Sequence, residues 1–80
     1  MDNSDIKIEF TRHALRKLAH RNIRKKNVII TILNPEKVIL ENNKFCAYRK
    51  FGKLYLKVVF RKLGVVIVVI TQYLTDKIKI

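Results

Sequence analysis

The spacing of apolar residues in the first part of the chain changes from a strand period to a helix period. Ile6, Ile8 and Phe10 alternate with charged residues, which predicts a short half-buried strand. Thr11 offers a hydroxyl to cap a following helix over residues 12–21, in which apolar side chains repeat at helical spacing. Asn22 tolerates the left-handed conformation that ends many helices, so we expect this helix to stop there.

Residues 24–33 fit either of two structures. Their β-branched side chains favour a strand by propensity, and we keep that alternative. We predict a helix, which would place Val28, Ile29, Ile32 and Leu33 on one face and end before Pro35. Its first turn would contain Lys25 and Lys26, where each cation costs about 0.3–1 kcal/mol against the helix dipole. A bound anion would offset that cost.

From residue 44 onward the pattern predicts strands near Phe45–Phe51, Leu54–Lys62 and Val65–Leu74, separated by Gly52 and Gly64. The short links favour an antiparallel meander. The last strand is apolar on both faces from Val65 to Ile70, so we expect it to be central or covered on both sides. Polar residues at its end could face a site: Thr71, Gln72 and Tyr73.

Length and composition predict a single folded domain over residues 1–80, with a flexible lead-in at residues 1–5. Hydrophobic residues make up 49% of the chain, which is too many for a disordered basic tail. Cys46 is the single cysteine, so no internal disulfide can form, and a reducing cytoplasmic location is expected. No apolar run approaches the roughly 20 residues of a membrane-spanning helix, and the acidic N-terminus does not resemble a signal peptide.

Most of the formal net charge of +12 lies in one stretch of the chain. Residues 10–62 hold fifteen Lys or Arg against two acids, Glu36 and Glu41. Such a distribution is typical of chains that bind polyanions. Because like charges oppose compaction, a nucleic acid, an acidic partner protein or a homodimer interface would each stabilise this domain.

The middle predicted strand has the clearest nucleic-acid-binding pattern. Lys53, Lys57 and Arg61 flank Tyr55 on one face, and cations can contact phosphates while an aromatic ring stacks on a base. Arg49 and Lys50 could extend this face. The alternative is that these residues form only the solvated side of a sheet.

The titratable residues are more compatible with metal-free chemistry than with a metal site. His13 and His20 share a helical face with Lys17, and no carboxylate or cysteine stands at ligand spacing. We therefore expect no metal and no cofactor. RNA cleavage needs neither, because the 2′-OH is a built-in nucleophile. His13 or His20 could transfer protons, and Arg49 and Arg61 could bind the phosphate. Tyr48 and Tyr73 could donate a proton or stack on a base, but they could equally be packing residues.

The order of short motifs resembles a family of small prokaryotic domains of unknown function that open with F-T-x-H-A. The matching segments run from Ile6 to Tyr73: Phe10–Ala14, Arg21–Ile23, Ile32–Pro35, Leu54–Phe60 and Val68–Tyr73. That family is distantly similar to BrnT and RelE/ParE-type toxins. Asn22 replaces the usual Gly, basic residues replace the usual cap and acids at the second helix, and Tyr73 stands where active BrnT-type toxins would have Arg.

The resemblance implies an α+β, RelE-like fold with a short N-terminal strand and two helices packed on a curved antiparallel sheet of three to four strands. It also implies a toxin that binds RNA, on the ribosome or free, and cleaves it without metal. An acidic or ribbon-helix-helix antitoxin would restrain it, and the opening histidine, the turn arginine and the strand-end pair correspond to His13, Arg21, Thr71 and Tyr73.

We therefore predict a toxin-like RNA-binding protein, with metal-independent endoribonuclease activity if it is an enzyme. The alternatives are a non-catalytic module, in which residues 12–33 form a helix-turn-helix, and a basic protein-interaction domain. Catalytic roles are predicted for His13, Arg49, Arg61 and Tyr73. Nucleic-acid contacts are predicted for Arg21, Arg24, Lys25, Lys26, Lys53, Tyr55 and Lys57.

Overall fold

Five strands form one mixed sheet, and two helices cover one of its faces. The computed structural model describes residues 5–78. Its elements are β1 (Lys7–Phe10), α1 (Arg12–His20), α2 (Lys25–Leu33), β2 (Lys37–Glu41), β3 (Lys44–Phe51), β4 (Leu54–Leu63) and β5 (Val66–Thr75). The strand order is β1-β5-β4-β3-β2. The expected flexible lead-in at residues 1–5 lies outside the described residues except for Asp5.

The predicted α+β class is confirmed, whereas the predicted sheet was wrong in two respects. The sheet has five strands instead of three to four, and β1 runs parallel to β5, so the sheet is mixed. The predicted antiparallel meander is confirmed for β3 through β5, and β2 extends it by one antiparallel strand. β5 lies between β1 and β4, as its apolar faces predicted.

The strand that the sequence analysis missed is β2, at the edge of the sheet. Asn42 and Asn43 have φ of 52° and 63°, and they form the two-residue turn that joins β2 to β3. Two positive φ values in succession are typical of the turn type that matches the twist of a hairpin. The Asn-Asn pair after an apolar run was therefore the overlooked signal.

Both predicted helices are confirmed, and local contacts explain their ends. The Thr11 hydroxyl accepts a hydrogen bond from the Ala14 amide at 3.0 Å, and Asn22 follows α1 with φ of 53°. In α2 the buried Thr31 hydroxyl donates to the Asn27 carbonyl at 2.8 Å, which satisfies it inside a helix. Tertiary burial of Val28 and Ile32 outweighs their strand propensity.

The buried face of α2 differs from the predicted one. Thr31 is buried, whereas Leu33 is 41% exposed. Arg24 occupies the N-cap position, and within residues 5–78 its side chain makes no capping hydrogen bond. Lys25 and Lys26 therefore begin this helix without the acidic first turn that would complement its dipole.

A β-bulge in β5 decides which polar residues point into the protein. Val59 pairs with Thr71 and Phe60 pairs with Val69, so Ile70 is an extra residue in β5. Because side chains alternate along a strand, this extra residue moves Gln72 to the helix-covered face. The bulge leaves Thr71 and Tyr73 on the opposite, open face.

The core lies between the helices and the sheet. Its buried members are Ala14, Ile23, Val28, Ile32, Ala47, Leu56, Val58, Phe60, Ile67 and Val69. Gln72 is 0% exposed beside this core, and its amide nitrogen donates to the Ala14 carbonyl at 2.9 Å. None of the helices among the described residues has the length and apolarity needed to cross a membrane.

Candidate functional site

Polar groups of α1 meet the second half of β5 at a free sheet edge. β1 pairs with Val66–Val69, so on that side the described strands leave residues 70–75 of β5 without a neighbour. The residues that flank α1 supply hydrogen-bond partners instead. The Thr11 hydroxyl donates to the Ile70 carbonyl at 3.2 Å, and Arg21 Nη1 donates to the Gln72 carbonyl at 2.8 Å. The edge thereby becomes an ordered polar surface.

Thr71 joins a histidine and an arginine at this edge. His13 Nε2 lies 3.2 Å from the Thr71 hydroxyl, and Arg21 Nη1 donates to the same oxygen at 3.1 Å. A hydroxyl can accept two hydrogen bonds and donate one, so it can satisfy both neighbours. The imidazole tautomer decides whether His13 donates or accepts. One threonine therefore holds a proton-transfer group beside a permanent cation.

Two tyrosines and a lysine continue this surface across the open face of the sheet. The Arg21 guanidinium carbon lies 5.7 Å from the centre of the Tyr73 ring. Lys57 stands between two rings, with Nζ 5.4 Å from the centre of Tyr73 and 5.6 Å from the centre of Tyr48. Strand register explains this arrangement, because Lys57 pairs with Tyr48 on β3 and with Tyr73 on β5. We call His13, Thr71, Arg21, Tyr73, Lys57 and Tyr48 the polar string.

The environment of Lys57 stabilises its positive charge. Burial of the ammonium alone would lower its pKa, but interactions with the hydroxyl groups of Tyr73 and Tyr48 outweigh that effect. The pKa of Lys57 is therefore raised above its ordinary value. Lys57 is a fixed cation throughout the neutral and mildly alkaline range.

The polar string borders an open cleft of about 580 Å³. Its lining residues are Tyr48, Lys57, Tyr73, Thr75, Asp76, Lys77 and Ile78. Tyr48 is only 1% exposed, so the cleft floor is a well-packed aromatic surface. The lining contains two tyrosines, two lysines and one carboxylate, Asp76. The cleft is suited to an anionic ligand that also has flat rings.

Tyr55 extends the cleft toward one end of the sheet. It pairs with Thr75 on β5 and Lys50 on β3, and Lys50 Nζ lies 5.8 Å from the centre of its ring. Lys53 is exposed in the turn between β3 and β4. The structure thus brings three predicted nucleic-acid-binding residues to one region, Arg21, Tyr55 and Lys57, together with Lys50, which was expected to extend this face. Lys53 lies four residues along the chain from Lys57, about as far from it as Arg61 on the other side.

Two of the predicted catalytic residues do not join the polar string. Arg49 Nη1 donates to the Asn34 carbonyl at 2.8 Å, at the C-terminal end of α2. Arg61 is exposed on the open face, four residues along β4 from Lys57, which corresponds to about 13 Å. His13 and Tyr73 are the two predicted catalytic residues that the string includes.

The basic residues at the start of α2 occupy another part of the surface. Arg24, Lys25 and Lys26 are exposed, and Lys25 Nζ lies 5.1 Å from the centre of the Phe10 ring. Because α2 contacts the opposite face of β3 and β4, these cations do not line the cleft. In the described part of the chain, no group of three or more His, Cys, Asp or Glu residues could hold a metal ion.

Two members of the polar string, Tyr48 and Thr71, are absent from the predicted catalytic and nucleic-acid-binding residues. Either Tyr48 or Tyr73 could have been the proton donor or stacking ring, and only Tyr73 was predicted to be catalytic. Thr71 had no predicted role beyond the family resemblance. Each has an apolar neighbour on one side and a polar one on the other, Ala47 and Arg49 for Tyr48 and Ile70 and Gln72 for Thr71, so the residues next to them do not reveal the face on which they lie. The usable signal was the strand alternation of Tyr48 with Cys46 and Lys50, which places all three on one face.

Comparison with known proteins gives the family of the chain and nothing closer. No curated protein and no solved structure matches it. A family model described as "Domain of unknown function (DUF4258)" matches residues 10–80, which include every member of the polar string. The chain belongs to this family of uncharacterised domains, DUF4258.

Proposed function

We propose that this domain is a toxin-like protein that binds single-stranded RNA in the cleft and cleaves it without a metal ion. The observation that carries the proposal is the continuity of the polar string. It connects a histidine to two cations and two aromatic rings over a few neighbouring positions of three strands and α1. Each of these groups has a function in cleavage of a ribose phosphate.

The reaction that these groups support is an internal transfer of the phosphate. His13 accepts the proton of a ribose 2′-OH, and the 2′-oxygen attacks the adjacent phosphorus. The bond from phosphorus to the 5′-oxygen breaks, and that oxygen takes a proton from the Tyr73 hydroxyl. Solvent reprotonates Tyr73, and His13 releases its proton to solvent, so both groups return to their starting states. The products are a 2′,3′-cyclic phosphate and a free 5′-OH, so no water, metal or cofactor is consumed. Arg21 and Lys57 stabilise the extra negative charge of the transition state.

The aromatic members of the cleft favour single-stranded over duplex RNA. The bases of a single strand can turn outward and stack on rings such as Tyr73 and Tyr55, whereas the bases of a duplex are already stacked on one another. Lys57 and Lys50 lie close enough to these rings to contact the neighbouring phosphates. The net charge of +12 adds attraction that does not depend on base sequence.

The role as a toxin is supported by the resemblance to BrnT and RelE-type proteins and by the charge of the chain. Two helices on a meandering sheet agree with the architecture that this resemblance implies. An antitoxin that carries acidic groups would complement the cleft and compete with RNA for it. We therefore propose an acidic partner encoded together with this protein, and a cytoplasmic site of action.

A helix-turn-helix function is less compatible with the exposed surface of α2. Beyond its two lysines, the exposed side chains of this helix include Ile30 and Leu33. A helix that reads a DNA groove uses polar side chains to contact base edges, and these positions are apolar. If the protein does not cleave RNA, we propose instead a non-catalytic module that binds RNA through the same cleft.

The proposal is tested by incubating the purified protein with end-labelled single-stranded RNA in the presence of EDTA. We expect cleavage products that end in a 2′,3′-cyclic phosphate. His13→Ala should lower the cleavage rate by about 10²–10⁴-fold, because it removes the proton-transfer group. His20→Ala is the matched control, since His20 lies on the same helix at its other end.

Three results are informative. Cleavage by wild type and His20→Ala, but not by His13→Ala, supports the assignment. Equal cleavage by all three proteins contradicts the role of His13. If the protein binds RNA but leaves it intact, both as free RNA and as RNA on ribosomes, the result contradicts cleavage and supports a non-catalytic RNA-binding module.

Binding is tested separately by the salt dependence of RNA affinity. We expect Lys57→Met to weaken binding of single-stranded RNA and to lower the slope of log affinity against log salt by about 0.7, because one phosphate contact is lost. Lys62→Met is the control, since Lys62 packs at 5.4 Å over Phe45, on the other side of the sheet. The raised pKa of Lys57 predicts that the difference between wild type and Lys57→Met stays constant from pH 7 to about 10. An unchanged slope in Lys57→Met would exclude the cleft as the phosphate-binding surface.

A further inference from the structure

β2 has a free edge, and the exposed side chains in the middle of this strand are apolar. Val38 is 45% exposed and Leu40 is 65% exposed, and Ile39 between them is half-buried. Proteins usually protect such an edge with inward-pointing charges, proline or a bulge, because unpaired strands attract further strands. Here Pro35 lies before the strand, and charges occur only at its ends, Lys37 and Glu41.

The hairpin geometry determines which backbone groups of β2 face outward. Glu41 and Lys44 flank a two-residue turn, so they form the closing hydrogen-bonded pair of the hairpin. Hydrogen bonding alternates along an antiparallel pair, so Ile39 also points its amide and carbonyl toward β3. The amides and carbonyls of Val38 and Leu40 therefore point away from the sheet, available to another strand.

We propose that this edge joins two copies of the chain through antiparallel pairing of β2 with β2, centred on Ile39. In this register Val38 of one copy pairs with Leu40 of the other, and their outward backbone groups form four hydrogen bonds. Lys37 of each copy lies opposite Glu41 of the other. The sequence of β2 is a cation, three apolar residues and an anion, so two antiparallel copies of it are complementary to each other.

An apolar groove beside the edge supports a second copy as the occupant. The groove has a volume of about 240 Å³, and its lining includes Leu33, Val38 and Phe45. In the proposed register Leu40 of the second copy lies next to Val38 on this same face of the sheet. Pairing would therefore cover apolar side chains together with the backbone edge.

The resulting dimer would have one continuous ten-stranded sheet. A two-fold axis perpendicular to the sheet keeps all four helices on one side and both clefts on the other. Five strand spacings separate β4 of one copy from β4 of the other, which corresponds to about 24 Å. This interface does not depend on RNA cleavage, so its test is independent of the proposed function.

The test is a charge-swap series measured by sedimentation equilibrium at about 0.15 M salt, with protein up to about 0.5 mM. We expect wild type to form dimers. Lys37→Glu places two glutamates opposite each other at both ends of the interface, and Glu41→Lys does the same with two lysines. Each variant alone should raise the dimer dissociation constant by about tenfold.

Complementation makes the test specific. The double variant Lys37→Glu/Glu41→Lys should restore dimerisation, and an equimolar mixture of the two single variants should form heterodimers. Far-ultraviolet circular dichroism checks that each variant is folded. A monomeric wild type over the whole concentration range overturns the proposal, and so does a dimer whose affinity the single variants leave unchanged.

Discussion

Arg21→Ala is expected to lower the rate constant of RNA cleavage by about 10²–10³-fold, which is the usual effect of removing one preorganised donor from a charge-stabilising site. Arg21 is the link between Thr71 and the Tyr73 ring, with contacts of 3.1 Å to the hydroxyl and 5.7 Å to the ring centre. Its charge cannot be lost by deprotonation. The measurement is single-turnover cleavage of a short RNA at saturating protein.

Two further variants separate charge from geometry in this prediction. Arg21→Lys keeps the positive charge but lacks the guanidinium, whose Nη1 donates to both the Thr71 hydroxyl and the Gln72 carbonyl, so we expect an intermediate rate. Arg16→Ala removes an exposed cation from the same helix and should cleave at the wild-type rate. If a folded Arg21→Ala protein cleaves RNA at the wild-type rate, Arg21 has no role in cleavage.

Gln72→Glu is expected to lower the free energy of unfolding at pH 7 by about 3–5 kcal/mol, because it places a carboxylate at a fully buried position. Gln72 donates to the Ala14 carbonyl, and its own Oε1 is buried without a hydrogen-bond partner among the described residues. A carboxylate at this position has no N–H to donate to the Ala14 carbonyl, and its negative charge would face that carbonyl oxygen. For 80 residues the whole stability is roughly 4–12 kcal/mol, so the loss would be a large part of it.

The stability of Gln72→Glu relative to wild type is expected to depend on pH in a definite direction. Burial raises the pKa of the introduced carboxyl above its unfolded value of about 4.3. The stability of Gln72→Glu relative to wild type should therefore fall as the pH rises above about 4.3, and recover on acidification. Urea unfolding from pH 4 to pH 8 measures this difference.

Gln72→Met is the matched control for the buried position. It fills a similar volume and removes the unsatisfied oxygen together with the donor, and these two effects oppose each other. We expect its stability to differ from wild type by less than about 1 kcal/mol. A Gln72→Glu protein as stable as Gln72→Met at pH 7 would show that this side chain reaches water.

Local sequence features account for most of the elements. The Thr11 cap, the helical spacing after it and Asn22 define α1, and the alternation along residues 54–62 defines the faces of β4. These signals depend on residues that are neighbours in the chain, so they can be read without knowing the fold. The concentration of charge in residues 10–62 is likewise a property of the sequence.

Three features were decided by contacts between residues far apart in the chain. Strand β2 depends on β3 for its pairing, and the parallel contact of β1 with β5 joins residues almost sixty positions apart. The bulge at Ile70 exchanges the faces of Thr71 and Gln72, which alternation alone would have assigned the other way round. A single extra residue therefore separates a candidate site residue from a core residue.

The candidate site illustrates the same division. Its residue types, a histidine with arginine, lysine and tyrosine, can be read from the sequence, whereas their grouping cannot. Lys57 meets Tyr48 and Tyr73 only through the register of three strands, and Arg49 belongs to the end of α2 because its side chain reaches Asn34. The sequence by itself determined α1, the main strands and the basic character of this domain, whereas burial of Val28 and Ile32 decided that α2 is a helix. Tertiary structure alone decided which polar groups share the cleft, because strand register and the bulge arise from packing between distant segments.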